Sequence, residues 1–454
     1  MADVIKPQKQ RSSMDDGKLT TRQAVVQFAQ ACVVSLENLD GAAEPHALPL
    51  AALLERACSS GDRDKGSMTA ARELVWERLH SGRYFDLPIG FREAYGAIEL
   101  LAAEEAAASN RQPRALNALD MCLLMGVPHS RKLDGRLVSA VEASGHCGRS
   151  AQESSAAPVD GESRGRKRPR SVRSMPMEKP AAGRLSCPGR PRKAIMRVEA
   201  PSLSEFLEQH MNTRVPVILT GAMEHWPALG PGERAWSDLD YLRRVAGQRL
   251  VPVEIGKNYL SEEWSQQLLS FGDFLDRFVL GKGRTSGTTE IGYLAQHQLF
   301  EQVAALRRDI FIPDYCALAR DDEVGGDDGV DEGVTLNAWF GPGGTVSPLH
   351  FDLRHNLLAQ VVGRKYICLF SPEFSQHLYP DNCGLMPNNS RVNFEYPDLE
   401  QHPLFAEAPG LECELRAGEM LYIPPRFWHF VRSECTSFSV SFWWGKRWKD
   451  AAEA

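Results

Sequence analysis

The stretch "SPLHFDLRHN", residues 347–356, places a histidine and an aspartate two positions apart in the C-terminal half of the chain. Successive side chains of a β-strand point to opposite faces, so His350 and Asp352 are predicted to share one face. A His-x-Asp triplet alone is weak evidence for a metal site, because most such pairs are solvated loop or strand residues. Further ligands are needed before the triplet indicates a metal.

A third candidate ligand lies in "GEMLYIPPRFWHF", residues 418–430, which places His429 beyond a Pro-Pro turn at a predicted strand end. Two histidines and one carboxylate can occupy one face of an octahedral ion and leave three positions open. This arrangement is typical of non-haem Fe(II) oxygenases. His429 could instead be a core histidine, so the hypothesis needs a further element.

That element is Lys365 in "VVGRKYICLF", residues 361–370, on the predicted strand that follows the triplet. If the cosubstrate is 2-oxoglutarate, its far carboxylate needs a buried cation, and lysine supplies a point charge. Lys365 could also be an exposed strand residue. The order of the three features on separate predicted strands disfavours that alternative.

Composition places few limits on this hypothesis. Hydrophobic content of 43% and charged content of 24% are ordinary for soluble globular protein. No stretch is apolar for long enough to span a bilayer, and the polar start lacks the apolar core of a secretory signal. The ten cysteines include no Cys-x-x-Cys pair. Neither a zinc ribbon nor a disulfide scaffold is indicated, and a reducing intracellular compartment is expected.

The N-terminal part of the chain has helical periodicity. Apolar residues recur at three- and four-residue spacing in five runs, at 22–36, 49–57, 69–79, 93–108 and 115–126. No fixed-period repeat is evident, but paired helices of this kind favour a small repeat-like module. The module contains no catalytic constellation, which favours a docking or stabilising role.

A basic segment separates this module from the rest of the chain. Residues 164–197 contain twelve Lys or Arg and one acid, a local net charge of +11 in a chain of net charge −7. The surrounding Ser-, Pro- and Gly-rich sequence predicts a disordered linker. Two clusters, "GRKRPR" (165–170) and "GRPRK" (189–193), are typical of nuclear-import signals, although a solubilising tether is the alternative. No aromatic interleaving is present, so specific nucleic-acid readout is not expected.

The C-terminal half is rich in short β-strand patterns bounded by Gly and Pro, at 214–221, 334–341, 356–372, 419–425 and 437–444. They predict a sandwich or barrel with added helices at 202–211 and 271–280. The acidic stretch 321–333 is predicted to be a surface loop. The expected order is a disordered N-terminus (1–18), an all-α module (19–144), a disordered basic linker (145–196), a β-rich domain (197–446) and a tail (447–454).

Four motifs of the β-rich domain resemble the Jumonji-C family of 2-oxoglutarate oxygenases: "NAWFGPGGTVSPLHFD" (337–352), "GRKYICLFSP" (363–372), "GEMLYIPPRFWH" (418–429) and "SVSFWW" (439–444). The resemblance covers residues 195–446 and extends more loosely to the helical front through "VWERLHSGRYFDLP" (75–88) and "ALDMCLLMG" (118–126). It implies an α+β chain whose C-terminal domain is a double-stranded β-helix, the cupin or Jumonji-C jelly roll. The order of helical module, linker and catalytic domain is also that of the family.

The resemblance also implies roles for individual residues. The iron ligands, which are the catalytic centre, would be His350, Asp352 and His429. The 2-oxoglutarate contacts would be Tyr293, Ser347, Asn356 and Lys365. The substrate pocket would include Glu254, Tyr259, Trp339 and Trp443. A carboxylate beside aromatic faces suits a guanidinium, although such aromatics also pack in cores. Phe351 departs from the pattern, which should affect packing rather than chemistry because the middle residue of the triplet faces away from the metal.

The expected function is a nuclear protein hydroxylase that uses Fe(II), 2-oxoglutarate and O₂ to act on arginine side chains. One alternative is a histone methyl-lysine demethylase, or a histone-tail endopeptidase, although no His-Glu-x-x-His motif is present. A nuclear scaffold with a structural barrel is an alternative of another class, and the triad with Lys365 counts against it. The expected partners are a protein with an exposed arginine, such as a histone tail or chromatin-associated protein, and a protein docked by the helical module. No membrane partner is expected.

Overall fold

The protein is described by a computed structural model. It covers residues 21–39, 46–59, 65–80, 88–109, 111–125, 175, 192–261, 263–282, 290–319, 333–381 and 386–446. The chain divides into two compact units, residues 1–165 and 166–454. The predicted N-terminal segment 1–18, the first basic cluster, nearly all of the acidic stretch and the tail lie outside the described residues. None of the described helices combines the length and the hydropathy needed to cross a membrane.

The first unit is a helical module, as predicted. Its helices are α1 (Thr21–Glu37), α2 (Ala47–Ser59), α3 (Lys65–His80), α4 (Ile89–Ala108) and α5 (Gln112–Met125). Helix α4 is the central one, because twelve of its twenty residues are buried. Arg72 of α3 donates two hydrogen bonds to the buried Glu99 carboxylate of α4, at 2.7 and 2.9 Å. This ion pair offsets the cost of burying Glu99 and holds α3 against the central helix.

The second unit contains fourteen described strands: β1 (Lys193–Ala194), β2 (Arg197–Glu199), β3 (Val217–Thr220), β4 (Leu250–Ile255), β5 (Ser265–Ser270), β6 (Gly292–His297), β7 (Thr335–Gly341), β8 (Val346–Phe351), β9 (His355–Val362), β10 (Arg364–Phe370), β11 (Gly410–Arg416), β12 (Met420–Ile423), β13 (Trp428–Ser433) and β14 (Ser437–Trp444). One sheet has the order β1-β11-β10-β13-β8 and the other β2-β3-β12-β9-β14-β7-β6-β4-β5. Ile367 and Val431 of the first sheet pack with Leu358 and Leu421 of the second in one apolar cluster. The sheets therefore face each other, and the predicted jelly roll is confirmed.

The predicted strand run 356–372 is divided in the structure. Its first half is β9 in the nine-stranded sheet, and its second half is β10 in the five-stranded sheet. Gly363 lies between them with a φ of 75°, and an added Cβ there would collide with the carbonyl oxygen of Thr436. Only glycine permits this corner, which turns Lys365 into the space between the two sheets.

Helices cover the outer face of the nine-stranded sheet. They are α6 (Leu203–Phe206) and α8 (Phe271–Phe274), each continued by a π-helical turn, together with α7 (Leu239–Ala246), α9 (Leu299–Gln302) and α10 (Ala304–Arg307). The two helices predicted at 202–211 and 271–280 are α6 and α8 with their π turns. Their aromatic side chains join the largest core, in which the rings of Phe340 and Phe438 stack at 4.5 Å. The rolled sheet is thereby supported from outside.

The predicted linker, 145–196, is wrong at its C-terminal end. Strand β1 pairs with β11, and the Arg192 guanidinium lies 4.7 Å from the ring centroid of Phe394 and donates to the Tyr366 hydroxyl at 3.1 Å. Met175 is only 5% exposed, and its N–H donates to the Ser237 carbonyl at 3.1 Å. The second basic cluster therefore ends inside the folded unit. Composition could not show this, because the aromatic partners of Arg192 are far away in sequence.

Candidate metal centre and cosubstrate cavity

The candidate iron ligands converge on one point at the mouth of the roll. His350 of β8 lies directly opposite His429 of β13, and their ring centroids are 4.2 Å apart. His429 is the second residue of β13, the strand that follows the Pro-Pro turn. Asp352 comes just after β8, with one carboxylate oxygen 3.9 Å from Nε2 of His350 and the other 3.6 Å from Nε2 of His429. The three ligand atoms lie within 4.8 Å of one another, which is compact enough to hold a metal ion.

The backbone determines which nitrogen of each imidazole faces the centre. Nδ1 of His350 lies 2.7 Å from the carbonyl oxygen of Pro348, and Nδ1 of His429 lies 2.9 Å from that of Phe427. A carbonyl oxygen can only accept, so each Nδ1 carries the proton and donates. Each Nε2 therefore presents its lone pair towards the other ligands, as metal-binding histidines do.

The electrostatics also favour metal binding. Burial, together with the neighbouring His350, lowers the pKa of His429 to about 4, although Asp352 opposes the shift. His429 is therefore neutral at pH 7, which is the protonation state that ligates metals. Two imidazole nitrogens with one carboxylate fit Fe(II) and leave positions for other ligands.

The four candidate 2-oxoglutarate contacts line one cavity together with the triad. Lys365 is 1% exposed, and its Nζ donates to the Tyr293 hydroxyl at 3.1 Å. Burial lowers the pKa of Lys365 to about 7. No carboxylate in the described part of the chain pairs with this lysine, so a bound carboxylate would compensate its burial.

The other two contacts are also inner-face residues. Ser347 of β8 interacts through its hydroxyl with Tyr293. Asn356 of β9 is 5% exposed, and its Oδ1 has no hydrogen-bond partner among the described residues. A lone cation beside Tyr293 and Ser347, with a free amide oxygen and three metal ligands in the same cavity, fits a keto acid that also chelates the metal.

Two of the four candidate substrate residues lie at the β4 side of this cavity. Glu254 of β4 is half-buried and lies opposite Tyr293 of β6, so the two side chains share a face. Burial raises the pKa of Glu254, and the nearby Trp264 side chain opposes the shift. Tyr259 follows β4 and donates its hydroxyl to Oδ1 of Asn389 at 2.7 Å.

The other two are tryptophans on the inner face of the large sheet. Trp339 of β7 lines the cavity, and its indole Nε1 donates to the Ser441 hydroxyl at 2.9 Å. Trp443 of β14 lies opposite Asn356 of β9, and its buried Nε1 has no partner in the described segments. Of the four candidates, Trp339 lines the cavity itself, whereas Glu254 and Trp443 lie opposite the lining residues Tyr293 and Asn356 on neighbouring strands.

Two residues at this site, Ser441 and Asn389, were not predicted from the sequence. The alternation within "SVSFWW" could have indicated Ser441, which lines the cavity. Nothing local could have indicated Asn389, since it meets Tyr259 across 130 positions.

Phe351, the residue that departs from the family pattern, packs edge-on against Trp428, with ring centroids 4.8 Å apart, in the cluster outside the five-stranded sheet. The predicted packing role of Phe351 is therefore observed, and its lack of effect on the chemistry stays a prediction.

Two family models match the chain. A cupin-like domain matches residues 203–450, and a model described as KDM8-like, N-terminal ARM repeats, matches residues 50–157. The first corresponds to the jelly roll. The second confirms the repeat-like character predicted for the helical module, even though no fixed period is evident in its sequence.

Curated relatives agree with these matches. Lysine-specific demethylase 8 of Danio rerio is 42% identical over 82% of this chain and 85% of that protein. Lysine-specific demethylase JMJ30 of Arabidopsis thaliana is 40% identical over 84% of this chain and 86% of its own. Jumonji C domain-containing protein 5 of Drosophila melanogaster is 46% identical over 55% of this chain and 59% of its own. The chain therefore belongs to the Jumonji-C family of 2-oxoglutarate oxygenases, whose members use Fe(II) and 2-oxoglutarate.

Proposed function

We propose that this oxygenase hydroxylates a carbon of an arginine side chain in a protein substrate. Iron and 2-oxoglutarate, when bound, supply the oxidation of a C–H bond by O₂, with succinate and CO₂ as co-products. The observation that supports arginine is Glu254, a half-buried carboxylate beside the cavity. In the described part of the chain no Lys, Arg or His forms an ion pair with it. A guanidinium would satisfy that carboxylate with two parallel hydrogen bonds.

One group of residues would bind the metal and the cosubstrate, and another would orient the substrate. His350, Asp352 and His429 would hold the metal, and Lys365 with Tyr293 would bind the far carboxylate of the cosubstrate. Glu254 and Tyr259 would orient the guanidinium beside the metal. Leu358, Ile423 and Val431 line the cavity with apolar surface, which would disfavour water there.

Methyl-lysine demethylation is the second candidate, and the names of two relatives, both lysine-specific demethylases, support it better than they support arginine hydroxylation. Hydroxylation of an N-methyl group gives a hemiaminal that collapses to formaldehyde and the shorter amine. A methyl-ammonium prefers aromatic faces, which Tyr259 and Trp339 could offer, and gains less from a single carboxylate. The two reactions therefore differ in which carbon is presented to the same centre.

Product analysis separates the two reactions. We expect an arginine-containing peptide, incubated with the protein, Fe(II), 2-oxoglutarate and O₂, to gain one oxygen by mass spectrometry. A trimethyl-lysine peptide of matched sequence should remain unchanged. Loss of a methyl group with release of formaldehyde, and no oxygen added to arginine, would replace this proposal by demethylation.

Glu254→Gln tests the residue that supports the proposal. The change removes the charge and keeps the size, so it should lower kcat/KM for the arginine peptide about a hundredfold, the loss of roughly 3 kcal/mol. Iron and 2-oxoglutarate binding, followed by calorimetry, should be unchanged. Glu263→Gln alters an exposed carboxylate of the neighbouring loop and serves as the matched control. A Glu254→Gln protein with normal arginine turnover would remove this residue from the pocket.

We further propose that the protein acts in the nucleus, that histone tails or chromatin-associated proteins are its substrates, and that the helical module docks a partner protein. Neutralising Arg166, Lys167, Arg168 and Arg170 together should move a tagged protein to the cytoplasm, because they form a dense basic cluster without core-forming neighbours. Catalysis in vitro should persist.

The second basic cluster provides the control for import. Arg192 is held against Phe394 and Tyr366, and the exposed Lys193 begins β1. Lys193→Gln should therefore leave the tagged protein in the nucleus. Nuclear accumulation that survives loss of the first cluster would mean that the second suffices or that a partner carries the protein in.

A further inference from the structure

Strand β8, which carries His350, lies at the edge of its sheet, and residues 388–390 form hydrogen bonds along its outer side. Strand β8 is the last strand of the five-stranded sheet. The Phe351 N–H donates to the Asn388 carbonyl at 3.0 Å, and the Asn388 side chain donates back to the Phe351 carbonyl at 2.9 Å. The Ser390 N–H donates to the Leu349 carbonyl at 2.9 Å. The metal-ligand strand is thus held on one side by β13 and on the other by this segment.

Asn389 lies at the centre of this segment and is paired with His350 in an isolated β-bridge. Asn389 is 5% exposed, and its side-chain oxygen accepts a hydrogen bond from the Tyr259 hydroxyl at 2.7 Å. One buried residue therefore lies opposite an iron ligand in this bridge and accepts a hydrogen bond from the side chain of a candidate substrate residue.

Tyr259 is suited to remain the donor in this bond. Burial raises its pKa, and the charges of Asp352 and Glu254 add to the shift in that order. The phenol therefore stays protonated across the neutral range. The same two charges show that Tyr259 lies near both Asp352 of the metal centre and Glu254 of the proposed guanidinium site.

We propose that Asn389 is a positioning residue that ties Tyr259, and through it the substrate side chain, to the strand bearing His350. This inference rests on the proposed function only in taking Tyr259 to contact the substrate. Oxidation of one carbon requires that carbon to be held at a defined place beside the metal, and a misplacement of about 1 Å can cost on the order of a hundredfold in rate. The Tyr259–Asn389 hydrogen bond would therefore fix the position of Tyr259 relative to the strand that carries His350.

A double-mutant cycle tests the inference, with Tyr259→Phe, Asn389→Ala and the double variant. Each single change should lower the yield of oxidised peptide about tenfold, the effect of one buried hydrogen bond, with little change in the peptide KM. Succinate formed per oxidised peptide should rise, because cosubstrate turnover becomes uncoupled from the displaced carbon. If both single variants act by losing this one hydrogen bond, the yield of the double variant should be no lower than that of the poorer single variant.

A readout without turnover accompanies the cycle. Under anaerobic conditions the Fe(II)–2-oxoglutarate complex has a visible charge-transfer band. Addition of the peptide should change this band in the wild type and change it less in either variant. Tyr396→Phe, at a tyrosine that is 73% exposed, is the matched control and should behave as the wild type. Thermal melting of Tyr259→Phe should match the wild type, which excludes loss of folding as the cause.

Three results would overturn the inference: additive losses in the cycle, an unchanged succinate ratio, or a peptide-induced band change that survives in both variants. Any of them would mean that the bond merely braces the loop after β4. The cycle uses whichever of the arginine and methyl-lysine peptides the wild type oxidises. A wrong arginine assignment is therefore seen in the wild type first and leaves the test of Asn389 intact.

Discussion

Replacing His350 with alanine is expected to abolish turnover while the second unit stays folded. His350 supplies one of the three ligand atoms that lie within 4.8 Å of one another, so its loss leaves a histidine and a carboxylate to hold the ion. An incomplete ligand set weakens a metal site severely. The side chain lies at the mouth of the roll rather than in an apolar cluster, so its removal should have little effect on stability.

Anaerobic Fe(II) titration of the wild type and the variant measures this expectation. The wild type should bind one Fe(II) per chain with high affinity, and His350→Ala should lose that site. His225→Ala changes an exposed histidine and is the matched control. Equal stoichiometry and equal activity in His350→Ala would contradict the assignment. A wild type that binds no iron and oxidises no peptide would instead favour a scaffold role.

Replacing Lys365 with alanine is expected to weaken 2-oxoglutarate binding by about 3–5 kcal/mol, or roughly a hundred- to a thousandfold or more, because the carboxylate would be buried without a partner. Iron binding should survive, since Lys365 supplies no metal ligand. Calorimetric titration with 2-oxoglutarate under argon, in the presence of Mn(II), separates the two effects. Lys282→Ala, at a lysine near the surface, controls for loss of positive charge. An unchanged 2-oxoglutarate affinity would show that Lys365 binds something else.

The same lysine predicts a pH dependence of cosubstrate binding. Burial lowers the pKa of Lys365 to about 7, so the lysine of the free protein is charged below that pH and loses its charge above it. The carboxylate of 2-oxoglutarate binds the charged form, and binding at higher pH must therefore take up a proton. The affinity should fall as the pH rises above about 7, by up to about tenfold per pH unit. Calorimetry in buffers of different ionisation enthalpy would detect the proton uptake, and a pH-independent affinity would contradict it.

The ligand set and the class of fold could be predicted from the sequence, because they depend on local rules. Strand alternation by itself places His350 and Asp352 on one face. Gly- and Pro-bounded strand patterns indicate a sandwich or barrel, and the family resemblance of four short motifs implies the jelly roll. The order of the triad and Lys365 along the chain indicates the cofactors. These features are encoded within stretches of about ten residues, where side-chain direction follows from backbone period alone.

Tertiary structure decided what depends on residues distant in sequence. Arg192 lies in the folded unit and not in the predicted linker, because its contacts are with Phe394 and Tyr366, which are far away in sequence. Asn389 lies beside the metal centre because residues 388–390 form hydrogen bonds along the outer side of β8. Local periodicity sets the direction of a side chain, but its partner is chosen when apolar burial brings separate strands together, and no local pattern contains that choice.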